Sequence, residues 1–227
     1  MSEAAGTLYL ARTTPQPPGK VPGLDTCGDA AARPYTPGMD QLWTPWRHAY
    51  VTQADVRDTR PGVPEELSAW PGDLHCVFCN LRAAADHGAG HGMTPDAADQ
   101  AANIVLRAEH CFVCLNAYPY STGHMMILPY AHEASLGKLA AEAAQEMMAL
   151  AQRATRALEQ EYRPDGINLG MNLGQAAGAG VADHLHLHIL PRWAGDTNFM
   201  TIISQTRVLP ETLSQSWKRL REAFTRA

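Results

Sequence analysis

The 227-residue sequence has no run of 18 or more apolar residues, so no membrane-spanning helix is expected. The N-terminus has neither the basic start nor the apolar core of a secretory signal. There is no block of lysine and arginine, and the net charge is -5. That excludes a duplex nucleic-acid binder whose affinity comes from neutralising phosphates, but not a nucleotide in a pocket. Cysteine is sparse at five residues, too few for a disulfide scaffold at this length. Four of the five form two Cys-x-x-Cys pairs, which fits metal or redox chemistry in a reducing compartment. A cytoplasmic protein without membrane association is the expectation.

Hydrophobic residues make up 45% and charged residues 18%, a globular balance. Residues 1–38 are rich in Pro, Gly, Ala and Thr without periodicity and read as a loosely ordered extension. Residues 39–74 hold an aromatic cluster, Trp43, Trp46 and Tyr50 with Arg47, which is expected to dock on the main body before a polar, proline-rich stretch. Residues 75–227 read as the main globular domain with a C-terminal extension. Within it, 110–115 and 125–128 suggest two strands joined by a turn-rich link. Leu136, Leu139, Ala143, Met147, Leu150, Ala154 and Leu158 recur at steps of three and four and predict a helix over 136–162. Ser135 would cap it, and Pro164-Asp165-Gly166 would end it. Further strands are expected at 167–173 and 184–190, and a closing helix at 210–226. This order predicts an α+β fold with an antiparallel sheet.

The segment His184-Leu185-His186-Leu187-His188-Ile189-Leu190 carries the chemistry. In an extended chain alternate side chains share a face, so the imidazoles point one way at roughly 7 Å spacing and the leucines point inward. Imidazole titrates near neutrality and can attack, donate a proton or bind metal. A polar surface strand and a three-histidine zinc site are the competing readings. Same-face positions on one strand diverge too far to reach one tetrahedral ion easily. The Gly/Ala-rich loop from Asn172 to Val181 lies just before the histidines and could present backbone N–H groups to a phosphate.

The two cysteine pairs invite a four-thiolate zinc ribbon. Cys111 and Cys114 fall in an apparent strand, where positions i and i+3 face opposite sides. They read better as small buried residues. Cys76 and Cys79 sit in a more polar context beside His75, where a tight knuckle is possible.

HLHLHIL resembles the histidine-triad family signature, His-φ-His-φ-His-φ-φ, at every position. The resemblance implies that His186 is the nucleophile toward an α-phosphorus, forming a nucleotidyl-histidine. It implies that the His184 carbonyl orients His186, and that His188 donates to phosphate oxygens. It places Asn116 at the ribose hydroxyls, His124 near the phosphates, and Asn172 with Gly178, Ala179 and Gly180 at the phosphate or leaving group. Family members often carry Gln or Ser where this chain has Gly180. In zinc-containing relatives, Cys76, Cys79, His132 and His184 would correspond to a structural zinc site. A homodimer is a common family state.

Three further segments resemble the bacterial diadenosine tetraphosphate phosphorylase/hydrolase-like branch of the family. These are Leu42-Trp43-Thr44-Pro45-Trp46-Arg47, the stretch from Leu115 to His124, and the stretch from Pro191 to Phe199. Trp43, Trp46 or Trp193 could stack a base, and Arg47 or Arg192 could neutralise phosphates; the tryptophans could equally anchor the extension. The leading expectation is cleavage of a dinucleoside polyphosphate with phosphate or water as acceptor. A nucleoside phosphoramidase or general nucleotidyltransferase is the alternative within the family. A non-catalytic nucleotide- or zinc-binding module is the alternative outside it.

Overall fold

The structure, a computed structural model, describes residues 60–196 and 209–226. The aromatic segment at 39–51, the extension at 1–38 and the stretch Asn198-Phe199 lie outside the described residues.

Five antiparallel strands make one sheet: β1 (Ile104–Arg107), β2 (Cys111–Leu115), β3 (Met125–Pro129), β4 (Gly166–Gly170) and β5 (Leu187–Arg192). Their spatial order is β1-β2-β3-β5-β4. Helices α1 (Val77–Gly90) and α2 (Pro95–Ala101) precede the sheet strands; α3 (Ala141–Tyr162) lies between β3 and β4, and α4 (Leu213–Arg226) closes the described chain. The expected α+β class is therefore present.

Strand alternation divides the interior into two cores. Val113, Leu115, Met125, Ile127, Leu187 and Ile189 pack with α3 and α4 on one face. Phe112, Cys114, Met126 and Leu128 pack with residues of α1 and α2 on the other. Cys111 belongs to the first core and Cys114 to the second, so the two thiols face apart as expected. Burial pushes both thiols up to about 12, which keeps them protonated and inert.

Several boundaries differ from the sequence expectation. The stretch 136–162 divides into a short 3-10 turn at Leu136–Lys138 and then α3. Ser135 makes no side-chain cap, and Ala140 precedes the α-helix. The extended Leu139 and Ala140 separate the two pieces. Arg163, in a left-handed conformation, ends α3 just before the proline. β4 stops at Gly170, short of residue 173, and β5 begins at Leu187. Of the three histidines, only His188 lies within the paired strand. The body also begins before residue 75, because Leu67 is buried in the second core with Val63 and Trp70 against it.

One carboxylate joins α3 to the sheet. Glu146 accepts the backbone N–H groups of Glu109, His110 and Cys111 at 3.1, 2.7 and 2.7 Å. It thereby satisfies the bend between β1 and β2, whose donors have no strand partner. Glu146→Ala strands these donors and should cost about 1–3 kcal/mol of folding stability. Urea unfolding measures this. A loss below half a kcal/mol would mean that water replaces the carboxylate.

Candidate functional site

The histidines gather on the sheet face covered by α1. β3 and β5 are paired with Met126 opposite His188, so His124, two residues earlier on the same face, is the diagonal neighbour of His188. His124, His184 and His186 are buried, and His188 is half-buried. The rings of His186 and His188 lie 4.8 Å apart in a T-shaped contact, closer than the strand repeat alone implies, because the rings lean together. Gly123 makes the entry to β3 possible. Its φ is +77°, and a Cβ there would approach Leu158 and Tyr162 to 3.1 Å.

Hydrogen bonds assign a tautomer to each ring. A carbonyl only accepts, so the ring nitrogen facing it carries the proton. His186 Nδ1–H donates to the His184 carbonyl at 2.9 Å, leaving Nε2 as the basic nitrogen. His184 Nε2–H donates to the Pro129 carbonyl at 3.0 Å, leaving Nδ1 as a ligand atom. The Tyr120 N–H donates to His124 Nδ1 at 3.1 Å. In its neutral form His124 must therefore carry its proton on Nε2, which lies 3.0 Å from His188 Nδ1. His188 in turn keeps its proton on Nε2. The outcome is one imidazole ready to attack and another ready to donate, on adjacent positions of one strand face.

His184 also meets two thiols. Its Nδ1 lies 3.4 Å from Cys76 Sγ and 3.5 Å from Cys79 Sγ, while His132 Nδ1 lies 3.5 Å from Cys79 Sγ. Ligand atoms of all four residues fall within 4.8 Å of one another. A tetrahedral zinc with bonds of about 2.3 Å to sulfur and 2.0–2.1 Å to nitrogen requires sulfur–nitrogen edges of about 3.5 Å. The donor set and its spacing therefore fit such an ion. Burial lowers His184 to about 4, leaving a neutral imidazole. Burial and the adjacent Cys76 push the Cys79 thiol up to about 11, so binding a cation would release thiol protons.

The knuckle is built on the start of a helix. Cys76 is the residue before α1 and Cys79 lies in its first turn. His75, with φ of +55°, turns the chain into the helix. Fully buried Asn80 holds this bend: it accepts from Leu74 N at 2.6 Å and donates to Pro61 O at 3.0 Å and Asp73 Oδ1 at 2.9 Å. Asp73 also accepts from His75 N at 2.8 Å. The Asn80 and His75 hydrogen bonds hold the Asp73 carboxyl below the usual carboxylate range.

Other expected contacts are altered. Asn116 Oδ1 accepts from Tyr118 N at 2.9 Å, an Asx turn that aims the amide and commits one oxygen lone pair. The backbone nest is smaller than expected. Gly178 N donates to Gln175 O and Ala179 N to Gly174 O, at 2.9 and 3.3 Å. Both amides are consumed by the turn around Gln175–Ala177, so among the three small residues only Gly180 has no such backbone acceptor among the described residues. Asn172 Nδ2 braces the loop on Gly178 O at 3.4 Å. Of the two arginines weighed as phosphate partners, Arg47 lies outside the described residues and Arg192 is tied to Asp196 and Asn168.

Two residues of the site had no reading from sequence. Phe78, between the cysteines, places its ring 5.6 Å from His184 and 5.1 Å from His186. The spacing of Phe78, Leu81, Ala84 and Ala85 was its signal, one helical face behind a cysteine pair. Asn80 had none, since a buried amide is known only from its partners.

The arrangement defines a class: an α+β protein with two imidazoles of opposite tautomer where β5 begins and a Cys2His2 cluster behind them. The HIT domain family matches residues 97–195. The AP-4-A phosphorylase of Mycobacterium tuberculosis is 34% identical over 188 residues, covering 83% of this chain and 86% of that protein. An uncharacterized HIT-like protein of Saccharolobus solfataricus is 26% identical over 55% of this chain and 79% of its own. A Zn-bound histidine triad family protein from Mycobacterium smegmatis has a solved structure with TM-score 0.50 and 28% identity, covering 68% of this chain and 96% of that one. The chain belongs to the HIT family.

Because Asn80 shapes the bend that presents Cys76, Asn80→Ala should weaken zinc binding by about tenfold or more, as loss of a group behind a metal site does. Competition with a chromophoric chelator measures the affinity. An unchanged value would mean that the helix alone sets the knuckle.

Proposed function

We propose that the protein cleaves dinucleoside polyphosphates of the diadenosine tetraphosphate type through a nucleotidyl-His186 intermediate. The observation that carries the reading is the tautomer pair: Nε2 of His186 is basic while Nε2 of His188 bears a proton. Similarity to the M. tuberculosis protein named AP-4-A phosphorylase over 83% of the chain supports the substrate class.

In this reading His186 Nε2 attacks the α-phosphorus, and the bond from that phosphorus to its bridging oxygen breaks. With diadenosine tetraphosphate, ATP leaves and AMP stays on His186. The imidazolium formed is stabilised by the Nδ1–H bond to the His184 carbonyl. His188 Nε2–H donates to a non-bridging oxygen as its charge develops. Asn116 binds a ribose hydroxyl through its amide, and Asn172 with the Gly180 backbone borders the phosphates. Inorganic phosphate attacking the intermediate gives ADP; water gives AMP. Phosphate is the acceptor favoured here, on the similarity to a phosphorylase.

Cys76, Cys79, His132 and His184 would hold a structural zinc, whose role is to fix the backbone at His184. The reading includes a homodimer. β4 lies at the sheet edge, and Leu169 is 47% exposed on it, which supports that edge as the contact.

His186→Ala should lower turnover of diadenosine tetraphosphate by about a thousandfold or more while the fold persists. Chromatography of products with phosphate present should show ADP and ATP in equal amounts. AMP and ATP would overturn the phosphate acceptor, and a variant within tenfold of wild type would overturn the nucleophile. Purified protein should carry about one zinc per chain by atomic emission, and Cys79→Ser should lose most of it. Wild-type protein with under a tenth of an equivalent, never exposed to chelator, would remove zinc from the reading.

A further inference from the structure

Tyr120 takes no part in the proposed reaction, yet its ring lies against the imidazoles that do. It stacks on His124 with centroids 4.9 Å apart and planes 29° from parallel. It comes within 6.3 Å of the His188 ring. Its backbone N–H is the donor to His124 Nδ1. One residue thus contacts His124 twice, at a nitrogen in the ring plane and on a ring face.

The neighbouring residue fixes the position of Tyr120. Ser121 is buried, and its hydroxyl donates to the Pro191 carbonyl at 2.9 Å. Pro191 lies on β5, the strand that carries His188. The hairpin tip is therefore clamped to the strand whose histidine it adjoins.

The His124–His188 bond depends on how the His124 ring is turned. The outer torsion of histidine has broad wells, and rotation about it would carry Nε2 away from His188 Nδ1. The Tyr120 ring occupies one face of that rotation. His186 is held differently, by the His184 carbonyl, and does not depend on this contact.

Resting on the reading of His188 as the phosphoryl donor, we infer that Tyr120 is a positioning residue whose ring, stacked on His124, keeps His188 in its Nε2–H form. The ring is what matters, not the hydroxyl. Offset aromatic stacking needs only a π face, so phenylalanine should replace tyrosine and an aliphatic residue should not.

The test compares full-length wild type, Tyr120→Phe and Tyr120→Leu. Nitrogen-15 spectra of labelled histidine report the tautomers of His124 and His188, and steady-state kinetics with diadenosine tetraphosphate report kcat and KM. Wild type and Tyr120→Phe should show a single Nε2–H form at both rings, with kcat within about twofold of each other. Tyr120→Leu should show mixed tautomers at His188 and lose roughly tenfold in kcat with KM nearly unchanged, part of the 10²–10³ that a full donor contributes. Should Tyr120→Leu misfold, Ser121→Ala loosens the same clamp and should move both readouts in the same direction. A single Nε2–H form with unchanged kcat in the leucine variant, or in Ser121→Ala where it takes that variant's place, overturns the inference. So does an equal loss in the phenylalanine variant. If wild type fails to cleave the substrate, the proposed function falls, while the tautomer spectra still decide the role of Tyr120.

Discussion

His184 is held at both ring nitrogens and at its backbone oxygen. Nε2–H reaches Pro129 on β3, Nδ1 faces the two thiols at the start of α1, and the carbonyl orients His186. It precedes the paired part of β5, so its backbone is fixed outside the sheet ladder, by the Leu185 N–H bond to the Glu133 carbonyl at 2.7 Å and by these side-chain contacts. The ring is buried and neutral, because desolvation lowers its basicity to about 4. A neutral ring with one committed N–H is what a metal ligand requires. The tilt of His186 thus depends on a cluster that lies outside the reacting groups.

A second chain of contacts runs along the other side of the site and reaches the opposite result. From Tyr120 N–H through His124 to His188, each imidazole accepts at Nδ1 and so carries its proton on Nε2. From His184 to His186 the sense is reversed, with Nδ1 donating. Two histidines two residues apart therefore present the same nitrogen, Nε2, in opposite protonation states. Sequence spacing alone makes them equivalent. The backbone groups that each ring meets make them different, and different roles in the proposed chemistry follow from that.

The legible parts were those governed by period. The 3.6-residue repeat marked α3, whose Ala143, Met147, Leu150, Ala154 and Leu158 are buried as the spacing required. The two-residue repeat separated Cys111 from Cys114 and the leucines from the histidines. The Cys76, Cys79, His132 and His184 set was readable only through family resemblance, since His132 and His184 lie 53 and 105 residues from Cys79. α1, α2 and β1 were missed. β1 is four residues long, too short for alternation to register. α2 carries a plain signal, Thr94 capping Ala97 with Pro95 in the first turn, inside a stretch of otherwise small and polar residues. The Gly-rich loop misled for a local reason: its turn uses two of the amides that would have formed a nest.

The consumption of Arg192 by Asp196 and Asn168 has a consequence for the proposed reaction. The groups assigned to phosphate there are a neutral imidazole donor, an amide and one backbone N–H. Neutral donors in a partly buried site stabilise charge that develops at one oxygen when their geometry is fixed beforehand. They attract a polyphosphate at a distance far less than guanidinium groups would, because that attraction scales with net charge. Such a site spends its interactions at the reacting phosphorus rather than along the whole anion. A product carrying three or four negative charges then meets no buried cation among these groups to hold it. In the proposed reaction, and among the described residues, the fixed tautomers of His186 and His188 would then carry more of the selectivity for the transition state than they would beside an unengaged Arg192.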